Sequence, residues 1–461
     1  MRPLARIAAV AVALISAGLI AGTAQAAVRA ELAADVDPGP SSSRPSKLTA
    51  VGDSVYFYAD GGPDRQGLWR TNGRLTQLVR PVGDPDLRIY WTEKVAFQGR
   101  LYLMGSETGN NYRLWRTVPG GGRIEPVPGW PKELKAGSKP TVANGLLFFR
   151  GGDGLHKNEL WKYDGERASL VKDINPGPAG SFPGYITGLG NQVIFNATDG
   201  VHGGELWRSD GTASGTRMIG EINPGAKGTN MAWLTRVGDS VYLTADTPGH
   251  WLEPWRTDGE QLGLVAAEHE GPEWDNITSF AGLGGKVYFT ANNELWESDD
   301  AWPEAEVHPI ADDPDFPTTA KNAPVAAGNR IFFASFAGDW TGTMQSWPSF
   351  YDGEKIVTLT DPEEEFDYPW GYPQFFKEFG GRVFFVGGDT LHGTELRVVS
   401  GRHYRLFADI LEGDSSSRPR GFARSKHFMY FVADDGIHGR EIWRLRQDHA
   451  AQHARGLREA H

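Results

Sequence analysis

The sequence predicts an all-β protein assembled from repeated units of four short strands, and three observations lead to this fold class. A tryptophan returns about every 46 residues along most of the chain. A short apolar, β-branched segment precedes each tryptophan, and glycine-rich turns separate the two. A bulky residue returns at so regular a spacing only in a repeat architecture. The repeated tryptophans are Trp69, Trp115, Trp161, Trp207, Trp255, Trp296, Trp347 and Trp443, and Arg397 stands where a further copy would fall.

The copy that begins at Tyr185 has the clearest element pattern. Residues 185–190 form a short first strand that ends in a Gly-Asn turn, and 193–197 are apolar and β-branched, which is typical of a buried strand. Residues 205–208 alternate as a third strand, and a fourth at 216–222 follows an Asp-Gly turn. Four antiparallel strands in about 46 residues indicate one blade of a β-propeller.

The number of blades follows from the second strand, whose apolar segment is the most regular part of the repeat. Nine copies predict a closed propeller of nine four-stranded blades, with eight blades or an open arc as the alternatives. The copies lie at 55–57, 101–103, 147–149, 193–195, 241–243, 287–289, 331–333, 383–385 and 429–431.

The two ends of the repeat region predict how the ring closes. The last unit stops after its third strand, near Trp443, while residues 31–39 resemble a fourth strand with its turn. The same Ser-Ser-Ser-Arg-Pro segment follows this turn at 41–45 and at 415–419. We therefore expect the N-terminal strand to complete the last blade, which would remove the open sheet edges of a broken ring.

The first 27 residues have the pattern of an export signal. Arg2 and Arg6 precede an apolar run at 7–20, and Ala24-Gln25-Ala26 fits a small-residue cleavage rule. The run is too short to predict a membrane-spanning helix. The sequence thus predicts a secreted protein with a signal at 1–27, a propeller at 28–446 and a disordered tail or frayed helix at 447–461.

Charge and composition limit the partners. The formal net charge is −12, and loss of Arg2 and Arg6 takes it to −14, which disfavours nucleic acid. The absence of cysteine excludes disulfides and thiolate metal sites. We expect a monomer that binds an extracellular glycan or another protein.

One copy of the repeat supports a resemblance. Residues 205–216 read ELWRSDGTASGT. This segment resembles the ELWxxDGTxxGT repeat of exported bacterial proteins, and degraded copies of it cover nearly all of the mature chain. The resemblance implies a secreted β-repeat protein, a propeller, with no shared activity to carry over.

A His-x-x-Glu pair recurs ahead of the tryptophan position, and an acidic residue often precedes it. Histidine and glutamate are metal ligands, and calcium is the alternative that these turns leave open. Five near-identical copies favour a structural element, in which the imidazole bridges the turn between the second and third strands. We therefore predict no cofactor and no metal, and we interpret the repeated tryptophan as core packing between blades. The pairs begin at His156, His202, His250, His392 and His438.

Function should lie where the repeats differ from one another. Aromatic residues ahead of the first strands, and others in the irregular acidic stretch 339–372, could stack on a sugar or clasp a side chain at the channel mouth; plugging of a wide channel is the alternative. This predicts a binding or scaffold module, and the alternative is a polysaccharide lyase or glycosidase, for which His269 among acidic neighbours is the first acid–base candidate. The candidate ligand-binding residues are Trp91, Tyr185, Trp233, Trp274, Trp340, Tyr368, Trp370 and Tyr372.

Overall fold

The computed structural model describes residues 28–83, 90–108, 111–247, 250–265, 277, 279–299, 307–310, 319–320, 323–338, 344–362 and 371–447. Within these residues every regular element is a β-strand. The strands form nine sheets, each of which corresponds to one copy of the repeat.

The first three blades follow the predicted spacing. Blade 1 contains β2 Ser46–Val51, β3 Ser54–Asp60, β4 Gln66–Thr71 and β5 Thr76–Leu78. Blade 2 contains β6 Arg80–Pro81, β7 Tyr90–Phe97, β8 Arg100–Ser106, β9 Arg113–Thr117 and β10 Arg123–Pro126, with β6 added in parallel at the outer edge. Blade 3 contains β11 Lys135–Ala136, β12 Thr141–Ala143, β13 Leu146–Gly152, β14 Glu159–Tyr163 and β15 Ala168–Lys172, and its inner strand is split between β11 and β12.

The middle three blades each have four strands. Blade 4 contains β16 Gly184–Leu189, β17 Gln192–Thr198, β18 Gly204–Ser209 and β19 Arg217–Gly220, close to the four predicted segments. Blade 5 contains β20 Met231–Val237, β21 Ser240–Thr247, β22 His250–Thr257 and β23 Leu262–Leu264. Blade 6 contains β24 Phe280–Leu283, β25 Lys286–Ala291, β26 Glu294–Asp299 and β27 Val307–Pro309.

The last three blades complete the set. Blade 7 contains β28 Thr319–Ala320, β29 Val325–Ala327, β30 Arg330–Gly338, β31 Met344–Tyr351 and β32 Ile356–Thr358. Blade 8 contains β33 Gly371–Phe379, β34 Arg382–Asp389, β35 Gly393–Ser400 and β36 His403–Ala408. Blade 9 contains β37 Arg420–Arg424, β38 Phe428–Asp434, β39 Arg440–Gln447 and β1 Val28–Ala34.

The nine blades form a ring, a nine-bladed β-propeller. The first strand of a blade contacts the first strands of neighbouring blades: β16 touches β12 and β20, and β2 touches β37 and β7. First strands therefore surround the central channel, and fourth strands form the outer surface of the ring. The predicted all-β propeller of nine blades is confirmed, and the eight-blade alternative is wrong.

The N-terminal strand closes the ring as predicted. β1 runs antiparallel to β39, with Val28 opposite Gln447 and Leu32 opposite Trp443. Gln447, which we placed in the tail, is thus the last strand residue, and 448–461 lie outside the described residues, as do 1–27. No helix in the described part of the chain is long and apolar enough to cross a membrane.

The core lies between blades, because each second strand is buried on both faces. Phe57, Phe149 and Phe195 have no exposed surface, and they pack with the tryptophans of the adjacent third strands. The repeated tryptophan is buried in five blades, at 2–7% exposure, and partly buried in three, which supports its interpretation as core. The buried copies are Trp69, Trp115, Trp161, Trp207 and Trp296.

The basic residue that follows many repeated tryptophans joins neighbouring blades. The ammonium of Lys162 in blade 3 donates to the carbonyl of Gly211 in blade 4 over 2.7 Å. The guanidinium of Arg444 in blade 9 donates to the carbonyl of Asn72 in blade 1 over 3.0 Å. These bonds cross each interface near the turn between third and fourth strands, so they fix the lateral position of one blade on the next.

Candidate functional site

The repeated glutamate of the His-x-x-Glu pair is a buried clamp. The carboxylate of Glu205 accepts hydrogen bonds from the backbone N–H of Ile222 (2.9 Å) and the hydroxyl of Thr229 (2.9 Å). It therefore holds both ends of the connection that leads from the fourth strand to the next blade. Glu441 makes the equivalent contacts across the closure, where it accepts from the N–H of Val36 (2.9 Å) and the hydroxyl of Ser43 (2.8 Å).

The repeated histidine binds within its own turn. His202 Nδ1 lies 2.7 Å from Asp199 Oδ2, and His438 Nδ1 lies 2.7 Å from Asp435 Oδ2. The hydrogen bond to Asp199 raises the pKa of His202, because the carboxylate favours the charged imidazole. In the four copies whose side chains the structure describes, the imidazole bridges the turn as predicted.

Burial raises the pKa values of the repeated glutamates that form the clamp. Burial raises the pKa of Glu441 to about 7, against the opposing effect of the hydrogen bonds from Val36 and Ser43. The pKa values of Glu159 and Glu205 are raised for the same reason. In blades 3, 4, 8 and 9 the connection to the next blade is therefore held by a glutamate whose pKa is raised by burial, Glu395 included.

Six of the nine inner strands have a local distortion, a register shift, that we interpret as turning a side chain toward the channel. The pairing of β16 with β17 shifts register between Gly184 and Thr187, and corresponding shifts occur in β2, β7, β20, β33 and β37. A β-bulge re-aims the side chain at the bulge and blunts a free strand edge. Since an inner strand has an unpaired edge at the channel, the bulge has a structural purpose of its own in each of these six blades.

The residue at the bulge adopts a left-handed backbone. Tyr185 has φ 51°, Trp233 has φ 58° and Phe375 has φ 58°, and Gly421 occupies the same position in β37 with φ 67°. For a residue other than glycine this conformation costs about 1–2 kcal/mol. Glycine would therefore fit the backbone at less cost, and the aromatic residues must be explained by something other than the backbone.

The aromatic bulge side chains are open to solvent. Tyr185 is 58% exposed, Trp233 54% and Phe375 44%. Phe375 contacts the ring of Phe422, with centroids 6.2 Å apart, whereas within the described residues the rings of Tyr185 and Trp233 pack against no other aromatic ring. Large apolar rings at a strained, exposed position on the channel wall provide a surface for a ligand.

In blades 1, 2 and 3 charged residues occupy the position that the repeat spacing makes equivalent to the bulge, although the pairing in blade 3 has no register shift. They are Lys47, Glu93 and Lys139, each 46 residues from the next, followed by Tyr185 at the same interval. Lys47 Nζ and Glu93 Oε1 are 2.8 Å apart, which places the bulge side chains of neighbouring blades in contact. The hydrogen bond from Lys47 lowers the pKa of Glu93, and the charges of Lys139 and Lys94 add to this effect.

A cavity lies where the charged side of the ring meets the aromatic side. It has a volume of about 230 Å³ and is lined by three consecutive inner segments. Lys139 contributes from blade 3, Tyr185 and Thr187 from blade 4, and Leu234 from blade 5. The volume is below that of a site for a drug-sized ligand, so the cavity suits a single ring of a longer molecule.

The structure separates the eight predicted site residues. Tyr185 and Trp233 share the bulge position on adjacent blades. Trp91 lies in β7, two residues before its bulge residue Glu93, and Tyr372 lies in β33; the side chains of both fall outside the described set. The remaining four predicted residues lie outside the described part of the chain, as does His269: Trp274, Trp340, Tyr368 and Trp370.

Sequence reasoning missed Phe375 and the exposed Phe182. Phe375 is 46 residues before Gly421, so the repeat spacing alone could have placed it in the ring. Phe182 (φ 51°, 51% exposed) stands three residues before Tyr185, at the position of Arg44 and Arg418 in blades 1 and 9. We call these three the rim residues, since they lie where the chain enters the inner strand.

One buried side chain does not match its repeat position. Lys94 follows the bulge residue Glu93, where six other blades have apolar residues, and it is 5% exposed. Its ammonium lies 4.1 Å from the ring centroid of Tyr58 and has no hydrogen-bond partner in the described residues. Burial lowers the pKa of Lys94 to about 7. The apolar counterparts are Leu48, Ile186, Leu234, Phe280, Phe376 and Phe422.

A metal centre was not predicted, and the described residues contain no group of three or more acidic or histidine side chains placed to hold an ion. The acidic stretch 363–370 lies outside them.

Comparison with known proteins yields no family. No family model matches the chain, and no curated protein matches it. Among solved structures, a puromycin-hydrolysing peptidase from Mycobacterium tuberculosis is 15% identical at a TM-score of 0.37, over 75% of this chain and 57% of that one. A prolyl endopeptidase is 12% identical at 0.39, over 88% and 53%. An oligogalacturonate lyase from Vibrio parahaemolyticus is 10% identical at 0.37, over 89% and 100%. The chain thus spans a little over half the length of the peptidases, and at these TM-scores the likenesses imply nothing about its activity.

Proposed function

We propose that the protein is a secreted binding module whose channel wall recognises an extracellular glycan. The single observation that carries the proposal is the pair Tyr185 and Trp233. Both have bulky side chains that are more than half exposed, and both have a left-handed backbone conformation at a position that glycine occupies in blade 9. Strain of this kind persists at sites where function requires it.

The chemistry of the wall favours a carbohydrate. The flat face of a pyranose ring presents C–H groups that pack on an aromatic ring, and its hydroxyls remain free for polar neighbours. Two aromatic rings on adjacent inner strands provide successive stacking surfaces for a chain of sugars. Secretion, proposed from the signal pattern at 1–27, would bring such a surface into contact with extracellular polymers.

A glycan array with the mature protein, followed by calorimetric titration of each hit, tests the proposal. We expect Tyr185→Ala and Trp233→Ala each to weaken binding by at least about tenfold, because each removes one stacking surface worth about 1–2 kcal/mol or more. The matched controls are Leu155→Ala and Val201→Ala, which remove apolar side chains that are 81% and 65% exposed on the turns between second and third strands.

The controls make the result decisive. If the controls weaken binding and the channel variants do not, the ligand binds at the turns between second and third strands and the proposed site is wrong. If the array has no hit and a pull-down with the mature protein captures a protein through Tyr185 and Trp233, the channel remains the site but the ligand is not a glycan. Turnover of a bound glycan would add the alternative activity of a lyase or glycosidase.

A further inference from the structure

We infer that the ligand of the channel is an anionic polysaccharide, one whose sugars carry carboxylate or sulfate groups. The inference rests on the proposed function, since it names the class of glycan that the same wall would bind. It is carried by an observation separate from the aromatic rings, namely the sign of the charge beside them.

The channel wall of blades 9, 1, 2 and 3 has a charge opposite in sign to that of the whole chain. The chain as a whole carries −12, yet the bulge and rim positions of blades 9, 1, 2 and 3 contain four cations and one anion. Only Lys47 among the cations is paired with that anion, over 2.8 Å. A local excess of positive charge in a concave, partly enclosed surface attracts anions more strongly than the same charges on an open surface. We call these five residues the arc: Arg418, Arg44, Lys47, Glu93 and Lys139.

Lys139 is the cation best placed to select a ligand. It lines the 230 Å³ cavity together with Tyr185, so a sugar stacked on the tyrosine would have its substituents near the ammonium. No hydrogen bond or ion pair of the Lys139 side chain occurs within the described residues. The nearby hydroxyl of Ser138 accepts from the N–H of Arg150 over 2.9 Å. Lys139 is therefore the ionic group available for the ligand.

The arrangement of charge and rings favours a glycan over other polyanions. A nucleic acid brings one phosphate for each nucleotide and requires a matching row of cations along its backbone. The cavity offers one lysine, Lys139, beside Tyr185, in a protein of strongly negative net charge. An anionic sugar chain matches this arrangement. The apolar face of a sugar ring can stack on the aromatic side chain, and the one negative charge that the ring carries can pair with the lysine.

The test compares three hexasaccharides by calorimetric titration against the mature protein at low and high salt. They are a uronic acid oligomer, the same oligomer after reduction of its carboxyl groups to alcohols, and a sulfated oligomer. We expect one or both anionic oligomers to bind at least tenfold more tightly than the reduced one, with an advantage that falls as salt rises. The stronger of the two identifies carboxylate or sulfate as the recognised group.

Three charge variants are expected to change binding of the anionic oligomer in three different ways. Lys139→Gln should weaken binding of the anionic oligomer about tenfold and leave the reduced oligomer unchanged. Glu93→Gln should strengthen anionic binding several-fold, because it removes the only carboxylate of the arc and frees Lys47. Lys157→Gln is the matched control: it removes an exposed lysine from a second-to-third-strand turn of the same blade, so it should change neither.

Specific outcomes would overturn the inference. Equal binding of the reduced and anionic oligomers, or loss of anionic binding in Lys157→Gln as large as in Lys139→Gln, means that the arc does not select charge. Tighter binding of polyaspartate or single-stranded DNA than of any saccharide means that the polyanion is not a glycan. In each case Tyr185→Ala and Trp233→Ala still decide the proposed function separately, because they are scored on neutral as well as anionic glycans.

Discussion

Lys94→Leu should stabilise the protein, because it restores the apolar residue that other blades have at this position. In blades 1 and 5 the position holds leucine, Leu48 and Leu234. Lys94 is 5% exposed, and within the described residues its ammonium has no hydrogen-bond acceptor. An unpaired charge in such a place costs free energy that a leucine side chain would not.

The size of the effect follows from proton linkage. The pKa of Lys94 is about 7 in the folded protein and 10.5 in the unfolded chain. Between these values the unfolded chain binds more protons, so the wild-type free energy of unfolding rises with pH. At 1.36 kcal/mol for each unit, the shift destabilises the wild type by about 5 kcal/mol at pH 6 and about 2 kcal/mol at pH 9. The advantage of Lys94→Leu should therefore shrink by about 3 kcal/mol over that range.

Urea unfolding at pH 6 and pH 9, followed by tryptophan fluorescence, measures this difference. Lys157→Leu, on an exposed turn, is the control and should change stability by less than about 0.5 kcal/mol at either pH. The reasoning is refuted if Lys94→Leu gains the same amount at both pH values, or if isotope-edited NMR of the lysine side chains places Lys94 near its ordinary pKa.

Three further predictions concern the clamp and the ring. Glu441→Ala should lower the free energy of unfolding by about 3–5 kcal/mol, because buried donors lose their acceptor, and it should speed amide exchange in residues 28–36. Glu159→Ala should destabilise similarly without that local release, and equal protection of 28–36 in both variants would contradict the closure role. Because burial raises the pKa of Glu441 from 4.5 to about 7, its contribution is fully present below pH 4.5 and is lost as pH rises through 7. Stability should thus fall by about 2 kcal/mol from pH 5 to 7 relative to Glu441→Gln in urea unfolding, and parallel pH curves would count against it. Trp207→Ala should cost about 3–5 kcal/mol as a core truncation, whereas Trp233→Gly should leave the melting temperature unchanged or raise it slightly while weakening glycan binding; a large loss of stability in Trp233→Gly would mean that its ring is part of the core.

The repeat made much of the architecture predictable. The 46-residue spacing, the nine apolar second strands and the unfinished last unit led to the nine blades and to the closure by β1. The structural role of the His-x-x-Glu pair was predictable too, because identical copies argue against a single reactive centre. The partners of the glutamate were not: the N–H and hydroxyl groups that donate to it lie 15–24 residues later in the chain, or 398–405 residues away for Glu441.

The candidate site could be predicted only in part. Tyr185 and Trp233 were identified as aromatic residues near the first strands, but a sequence does not reveal a β-bulge. Without the bulge, Tyr185 could not be recognised as the counterpart of Glu93 and Lys139, and the charged side of the ring had no visible relation to the aromatic side. Lys94 escaped notice for the same reason, since its departure from an apolar pattern is apparent only after the inner strands are aligned.

By itself the sequence determined the class of fold, the number of units and the order in which they follow, because burial of a period-two apolar pattern depends only on local spacing. Tertiary structure decided which residues share the channel wall and what charge they present to it. Those relations arise between strands 46 or more residues apart, where only the closed ring brings side chains together.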